Sequence, residues 1–275
     1  MKKLTTGLAL GFLCGAAGAA PVALPDGAIT IHYANFEQVS VTNAIPTPSG
    51  GHEGNWGIVR VSHIVAEGTN ALLFTAGASE IVGMFYGLDV IASADGLPLA
   101  QSGGTLDIYF RDSPLPTATP TPGDRTGDAS YAGYTDGTLL ARLRFASGIA
   151  ADATVTTALL GVGPGGEAIF GGYADVTDID GNGVIDFQDG AWAPALDTDS
   201  FVTASGSLRD FLFQQIVVPL PAWHDPGFGV TSDIFGALSN DPLRGFVSNP
   251  VPVPGAFGSA ALGLCILVLW RRRAG

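Results

Sequence analysis

Trp56-Gly57-Ile58-Val59-Arg60-Val61-Ser62-His63-Ile64 is the stretch whose reading decides the fold class. Ile58, Arg60, Ser62 and Ile64 alternate against Gly57, Val59, Val61 and His63, the two-residue period of a strand with unlike faces. The same composition recurs outward along the chain. Residues 28–33, 38–42, 71–75, 81–91, 105–111, 139–145, 168–173, 201–204 and 211–218 all carry apolar or β-branched runs of strand length. Glycine and proline clusters separate these runs at short spacing, the pattern of an antiparallel sandwich or barrel, and the domain expected is all-β and sandwich-like with long loops. Helical periodicity is confined to the two ends of the chain, apart from a short helix expected near residues 189–195.

Two loops interrupt the strands. Residues 113–128 hold Pro114, Pro116, Pro120 and Pro122 among threonines, a composition that cannot pair in a sheet and predicts an extended, mobile excursion. Residues 46–54 are a smaller version. Residues 129–250 could form a second lobe, although no internal repeat supports two equal domains.

The N-terminus reads as a secretory signal peptide. Met1-Lys2-Lys3 is followed by an apolar, small-residue run from Leu8 to Ala20, and Ala17-Gly18-Ala19 fits an A-x-A cleavage site. Residues 1–19 would therefore be removed. Cys14 is not a lipoprotein cysteine on this reading, because Leu13 stands where a small residue is required. The two cysteines, Cys14 and Cys265, lie in the two terminal segments, so the intervening domain has no disulfide. At about 230 residues it can bury a sufficient core without one.

Charge is lopsided. Between the two ends lie seven arginines, no lysine and twenty-five carboxylates, a formal charge of −18. Such a surface repels nucleic acid and attracts divalent cations, which excludes nucleic acid as an expected partner.

At the C-terminus, Val251-Pro252-Val253-Pro254 precedes an uncharged apolar run from Ala256 to Trp270, and Arg271-Arg272-Arg273 follows it. A proline motif, a hydrophobic span and a terminal arginine cluster together resemble a PEP-CTERM sorting tail, although Val253 replaces the acidic residue usual in that motif. The resemblance covers about a tenth of the chain. It implies export across the inner membrane of a Gram-negative cell, with residues 256–270 as a transient single transmembrane helix. An exosortase-type enzyme would then process the tail, 251–275, and release residues 20–250 to the cell surface or extracellular matrix. Fifteen helical residues span about 22 Å, and snorkelling arginines can supply the missing length while staying cytoplasmic. Val218-Pro219-Leu220-Pro221 resembles the same tetrapeptide but has no apolar span after it.

One constellation carries chemistry. Asp178-Ile179-Asp180-Gly181-Asn182-Gly183-Val184-Ile185-Asp186-Phe187-Gln188-Asp189 places oxygen donors at loop positions one, three, five, nine and twelve. Gly183 stands at the sixth, turning position, and the Val184 carbonyl joins at the seventh. Hard Ca²⁺ takes six to eight oxygens at about 2.3–2.6 Å, and this spacing wraps them around one point. The run resembles the calcium loop of EF-hand and dockerin proteins, nearer dockerin because Asp189 closes it. The preceding strand, Pro194 and the single copy depart from both families, so cohesin binding is not implied. The metal ligands expected are Asp178, Asp180, Asn182, Val184, Asp186 and Asp189, with Ile185 packing inward and calcium in a structural role. The alternative is an acidic hairpin without metal. Asp197 and Asp199 lie near in sequence.

Other sites are weaker. His32, His52, His63 and His224 show no zinc spacing, and no G-x-S-x-G, HExxH or P-loop is present. Trp192 and Trp223 are candidates for stacking on sugar rings, with Trp56 a third aromatic to place. The reading is a non-enzymatic exported surface or matrix protein associated with exopolysaccharide and biofilm. A carbohydrate-binding module is the alternative, and would need exposed tryptophans. A secreted hydrolase, needing a cleft with convergent carboxylates, is the second.

Overall fold

A computed structural model describes residues 22–94, 97–116, 118–224 and 233–248. The signal segment 1–19 and the sorting tail 251–275, with its apolar span 256–270, lie outside the described residues. Among the described residues no helix is long and apolar enough to cross a membrane.

Ten strands make the principal sheet: β1 (Gly27–Ser40), β2 (Asn55–Ala66), β3 (Ala71–Thr75), β4 (Glu80–Ala94), β5 (Leu97–Arg111), β6 (Thr138–Ala146), β7 (Thr157–Val162), β8 (Ala168–Val176), β9 (Phe211–Pro219) and β10 (Ile234–Val247). Every pairing is antiparallel, in the order β1-β10-β9-β8-β6-β5-β4-β2, and β2 pairs back onto β1. The sheet is therefore an eight-stranded barrel and not a sandwich. Closure comes from β1, which bonds β10 along one edge and β2 along the other, so neither edge is left open. β3 extends the β2 ladder beyond the end of β4, and β7 bridges β5 and β8 where β6 stops. Strands from both halves of the chain complete this one barrel.

The alternation in 56–64 breaks inside β2. His32 pairs with His63 and the next β1 residue, Tyr33, with Val61, so Ser62 is bulged out of register. Val59 and Val61 face the interior, and beyond the bulge so does Ile64, while His63 turns outward to stack on His32 with ring centroids 4.3 Å apart. A sequence period carries no sign of such a phase slip.

Two strands were not expected from the sequence, β7 and β10. Pro242 reads as a breaker, yet it sits in β10 opposite His32; the β9–β10 ladder simply omits Asp241 and Pro242, where proline has no N–H to give. The single α-helix among the described residues, α1 (Ala193–Leu196), is one turn long and starts later than the 189–195 expected.

Two apolar clusters lie on opposite sides of the barrel wall. The interior cluster runs from Ile31, Val59, Phe85 and Leu106 down to a plug formed by Leu24, Trp192 and Leu196, which closes one end. The Trp192 indole donates to the Val22 carbonyl at 3.0 Å, and the Trp192 amide to the Leu140 carbonyl at 2.7 Å. Gly190 permits this approach at φ +141°, since a Cβ there would lie 2.5 Å from the Leu140 oxygen.

The second cluster is outside the wall: Trp56, Ile58, Val82 and Met84 project from the strands, and Trp223, Tyr131 and Tyr134 from the connecting loops cover them. The proline-rich excursion is part of this cover, contrary to the mobile segment expected. Leu115 packs on the cluster, the Trp223 indole donates to the Pro120 carbonyl at 3.1 Å, and the Tyr131 hydroxyl to that of Thr121 at 2.8 Å.

Candidate functional site

The 178–189 loop leaves the end of β8 and leads through Gly190 into the Trp192 plug. Gly181 and Gly183 adopt φ of +70° and +83°, the left-handed turns that let the chain double back within twelve residues. Carboxylate oxygens of Asp178, Asp180 and Asp189 lie within 4.8 Å of one another. Oxygens around one Ca²⁺ at about 2.3–2.6 Å can be at most about 5 Å apart, an upper bound that these three meet. Among the described residues this is the one set of three acidic, histidine or cysteine side chains that converges on a point.

The loop is held by its own acids. Asp178 accepts from the amides of Gly181 (2.7 Å), Asn182 (3.2 Å) and Gly183 (2.6 Å), and these N–H groups, Gly183 first, hold its carboxyl below the usual range. Asp189, fully buried, accepts from Ile179 at 2.6 Å and from Asp186 at 2.9 Å, joining the two ends of the loop. Asn182 and Asp186 turn their side-chain oxygens to the amides of Val184 (2.8 Å) and Gln188 (2.6 Å). Three of the expected ligands thus converge, while Asp186 lies outside that set and Asn182 makes a local turn. Val184 is exposed, and Ile185 packs inward against the interior cluster.

The tryptophans occupy other roles than sugar stacking. Trp56, Trp192 and Trp223 are 1%, 0% and 1% exposed, so none presents a ring face to a ligand. Trp192 plugs the barrel, while Trp56 and Trp223 pack together with centroids 5.5 Å apart, and the Arg125 guanidinium covers Trp56 at 4.5 Å. Each is large enough to be worth burying completely, and each indole N–H finds an acceptor inside, which removes any cost of doing so.

Sequence reasoning missed the polar residues that the barrel brings together. Asp107, fully buried on the outer wall, takes both bonds of a fork from Arg142, at 2.6 and 2.8 Å. Glu53 pairs with Arg125 and Glu80 with Arg60, so buried carboxylates of the outer layer are matched to arginines. Asp210 accepts from the amides of Val176, Thr198 and Asp199 at 2.7–2.8 Å. With Asp199 it adds to burial in holding the Asp197 carboxyl up. Inside the barrel, Asn35, Glu37, Asn55, Gln101 and Ser239 are all at most 5% exposed and form a polar belt above the apolar core. Glu37 stood between the strand-like runs 28–33 and 38–42, and Asn55 beside a glycine; nothing local marked them, because their meeting depends on the β1–β2 register.

No family model, no curated protein and no solved structure matches this chain.

Proposed function

We propose that this chain is a non-catalytic, exported cell-surface or matrix protein, delivered by its PEP-CTERM-like tail into an exopolysaccharide environment and stiffened there by calcium. The observation that carries the reading is the convergence of Asp178, Asp180 and Asp189 beside the barrel plug. A Ca²⁺ held by these three carboxylates would supply charge neutralisation and tie the loop, and with it Gly190 and Trp192, to the end of β8. Support for a non-catalytic role comes from the outer carboxylates: Glu53, Glu80 and Asp107 are each committed to an arginine. The carbohydrate-binding alternative loses its proposed platform with Trp192 and Trp223 buried.

Calcium titration tests the reading. A ligand that binds only the folded state stabilises it by RT ln(1 + [L]/Kd), so a millimolar site in ten millimolar calcium adds roughly 1.4 kcal/mol, or a few degrees in Tm. Sodium at equal ionic strength should leave Tm short of that shift. Asp178→Asn with Asp180→Asn should lose most of it, and an equal calcium response from wild type and double variant would refute the site. Intact mass of the exported form tests the sorting arm, which requires loss of residues 1–19 and of the arginine cluster.

A further inference from the structure

The upper half of the barrel interior is underfilled. A cavity of about 110 Å³ lies above the core, between Val39, Phe170, Val217 and Phe235, and a smaller one of about 40 Å³ lies below it. Asn55, Gln101 and Gln215 line both, so the polar belt is the partition between them. The upper cavity also reaches Leu97, Gly166 and Pro219, which are exposed, so it approaches the surface at the end opposite the Trp192 plug.

Three buried oxygens in this region have no hydrogen-bond partner: Glu37 Oε1, Asn55 Oδ1 and Thr157 Oγ1. Glu37 lines the upper cavity, Thr157 the lower and Asn55 both. Their other contacts are made; the Asn55 amide donates to Glu37 Oε2 at 3.0 Å. A buried polar atom left unpaired is costly, and two of the three, Glu37 Oε1 and Asn55 Oδ1, belong to side chains that line the upper cavity, a built demand for donors. Among the described residues no lysine, arginine or histidine lines either cavity, and Glu37 is their one charged side chain.

We propose that the upper chamber binds a small primary amine as its ammonium ion, with N–H groups answering Glu37 and Asn55 and a short apolar chain filling the space beside Val39 and Phe170. The match is one of chemistry and charge: two unpartnered oxygens, one of them on a carboxyl with no cation beside it, meet N–H donors and one positive charge. An apolar cavity of about 150 Å³ admits benzene, so an amine of four to six heavy atoms is the size class that fits. Burial pushes the Glu37 carboxyl up to about 7. An ammonium beside it would oppose that push. The inference is independent of the calcium loop, which lies at the plugged end.

Isothermal titration of the full chain at pH 8 with n-butylamine, n-butanol and tetramethylammonium is the test. Saturable one-to-one binding of n-butylamine is expected, about tenfold or more tighter than the neutral alcohol and than the cation that lacks N–H groups. Glu37→Gln should weaken n-butylamine about tenfold and leave n-butanol within about twofold. Ala168→Leu, which fills the upper cavity and leaves Glu37 intact, should abolish amine binding, whereas attraction to the acidic surface would survive it. Equal affinity for amine and alcohol, persistence of amine binding in Ala168→Leu, or no binding by wild type would overturn the proposal; in the last case the cavities hold water alone.

Discussion

The two sides of the barrel wall are packed on different principles. Outside, the proline-rich excursion and the 220–224 turn clamp Trp56, Trp223, Tyr131 and Tyr134 into an aromatic layer in which each indole N–H has an acceptor and Glu53, Glu80 and Asp107 each have an arginine. Inside, the end near the Trp192 plug is filled with aliphatic and aromatic side chains, but two cavities and three unpartnered oxygens lie on either side of the polar belt. The layer made by loops leaves Arg111 Nε without a partner, so the contrast is one of degree, with three such atoms gathered at the barrel's own centre. An eight-stranded barrel is just wide enough for its side chains to fill, so polar residues at a few inward positions are enough to leave space. A protein selected only for stability gains nothing from that arrangement, and the contrast marks the interior as the place where something other than packing is at work.

The largest way to break the contrast is to remove the centre of the outer layer. Trp223→Ala deletes a side chain 1% exposed that touches Trp56, Phe36 and Tyr131, and should cost about 3–5 kcal/mol. Denaturant titration reads the loss, and proteolysis within 113–128 should accelerate with it. If stability falls while that segment stays resistant, the excursion is anchored by something other than this layer.

Next comes the interior carboxyl. The Glu37 pKa is raised by burial from 4.5 to about 7, with the Asn55 hydrogen bond a smaller opposing influence. Between those values the folded state keeps a proton that the unfolded chain has released. Stability from this group is therefore intact below pH 4.5, falls as pH rises to about 7, and is flat beyond. The whole fall is about 3 kcal/mol. Glu37→Gln should flatten that window and leave the variant more stable than wild type at pH 8, measured by urea unfolding across pH 4–8. An unchanged slope would place the carboxyl in water.

The smallest effect sharpens the claim that the outer layer is the better satisfied. Tyr131→Phe removes the hydroxyl bonded to the Thr121 carbonyl at 2.8 Å and should cost about 1 kcal/mol. A shift of no more than a few tenths in the same urea titration would mean that water replaces the bond, and that the excursion is looser than its contacts indicate.

Much of this molecule was legible in one dimension. Residues 71–75 form a strand with the expected bounds, and most other expected runs lie within longer strands, because alternation reports which residues can sit on a half-buried pleat. The turn glycines and acid spacing of 178–189 were equally plain, since a loop that closes within twelve residues is local. Barrel or sandwich was not legible. That choice turns on whether β1 bonds β2 as well as β10, a contact between residues about two hundred positions apart on one side and thirty on the other. Nor was the polar belt legible: Glu37, Asn55 and Thr157 come to line the two interior cavities only after closure fixes the strand register. Local hydrogen-bonding and side-chain period are written in the sequence. The partners of a buried polar atom are set by tertiary register, and tertiary structure alone decided that these three oxygens would face an unfilled interior.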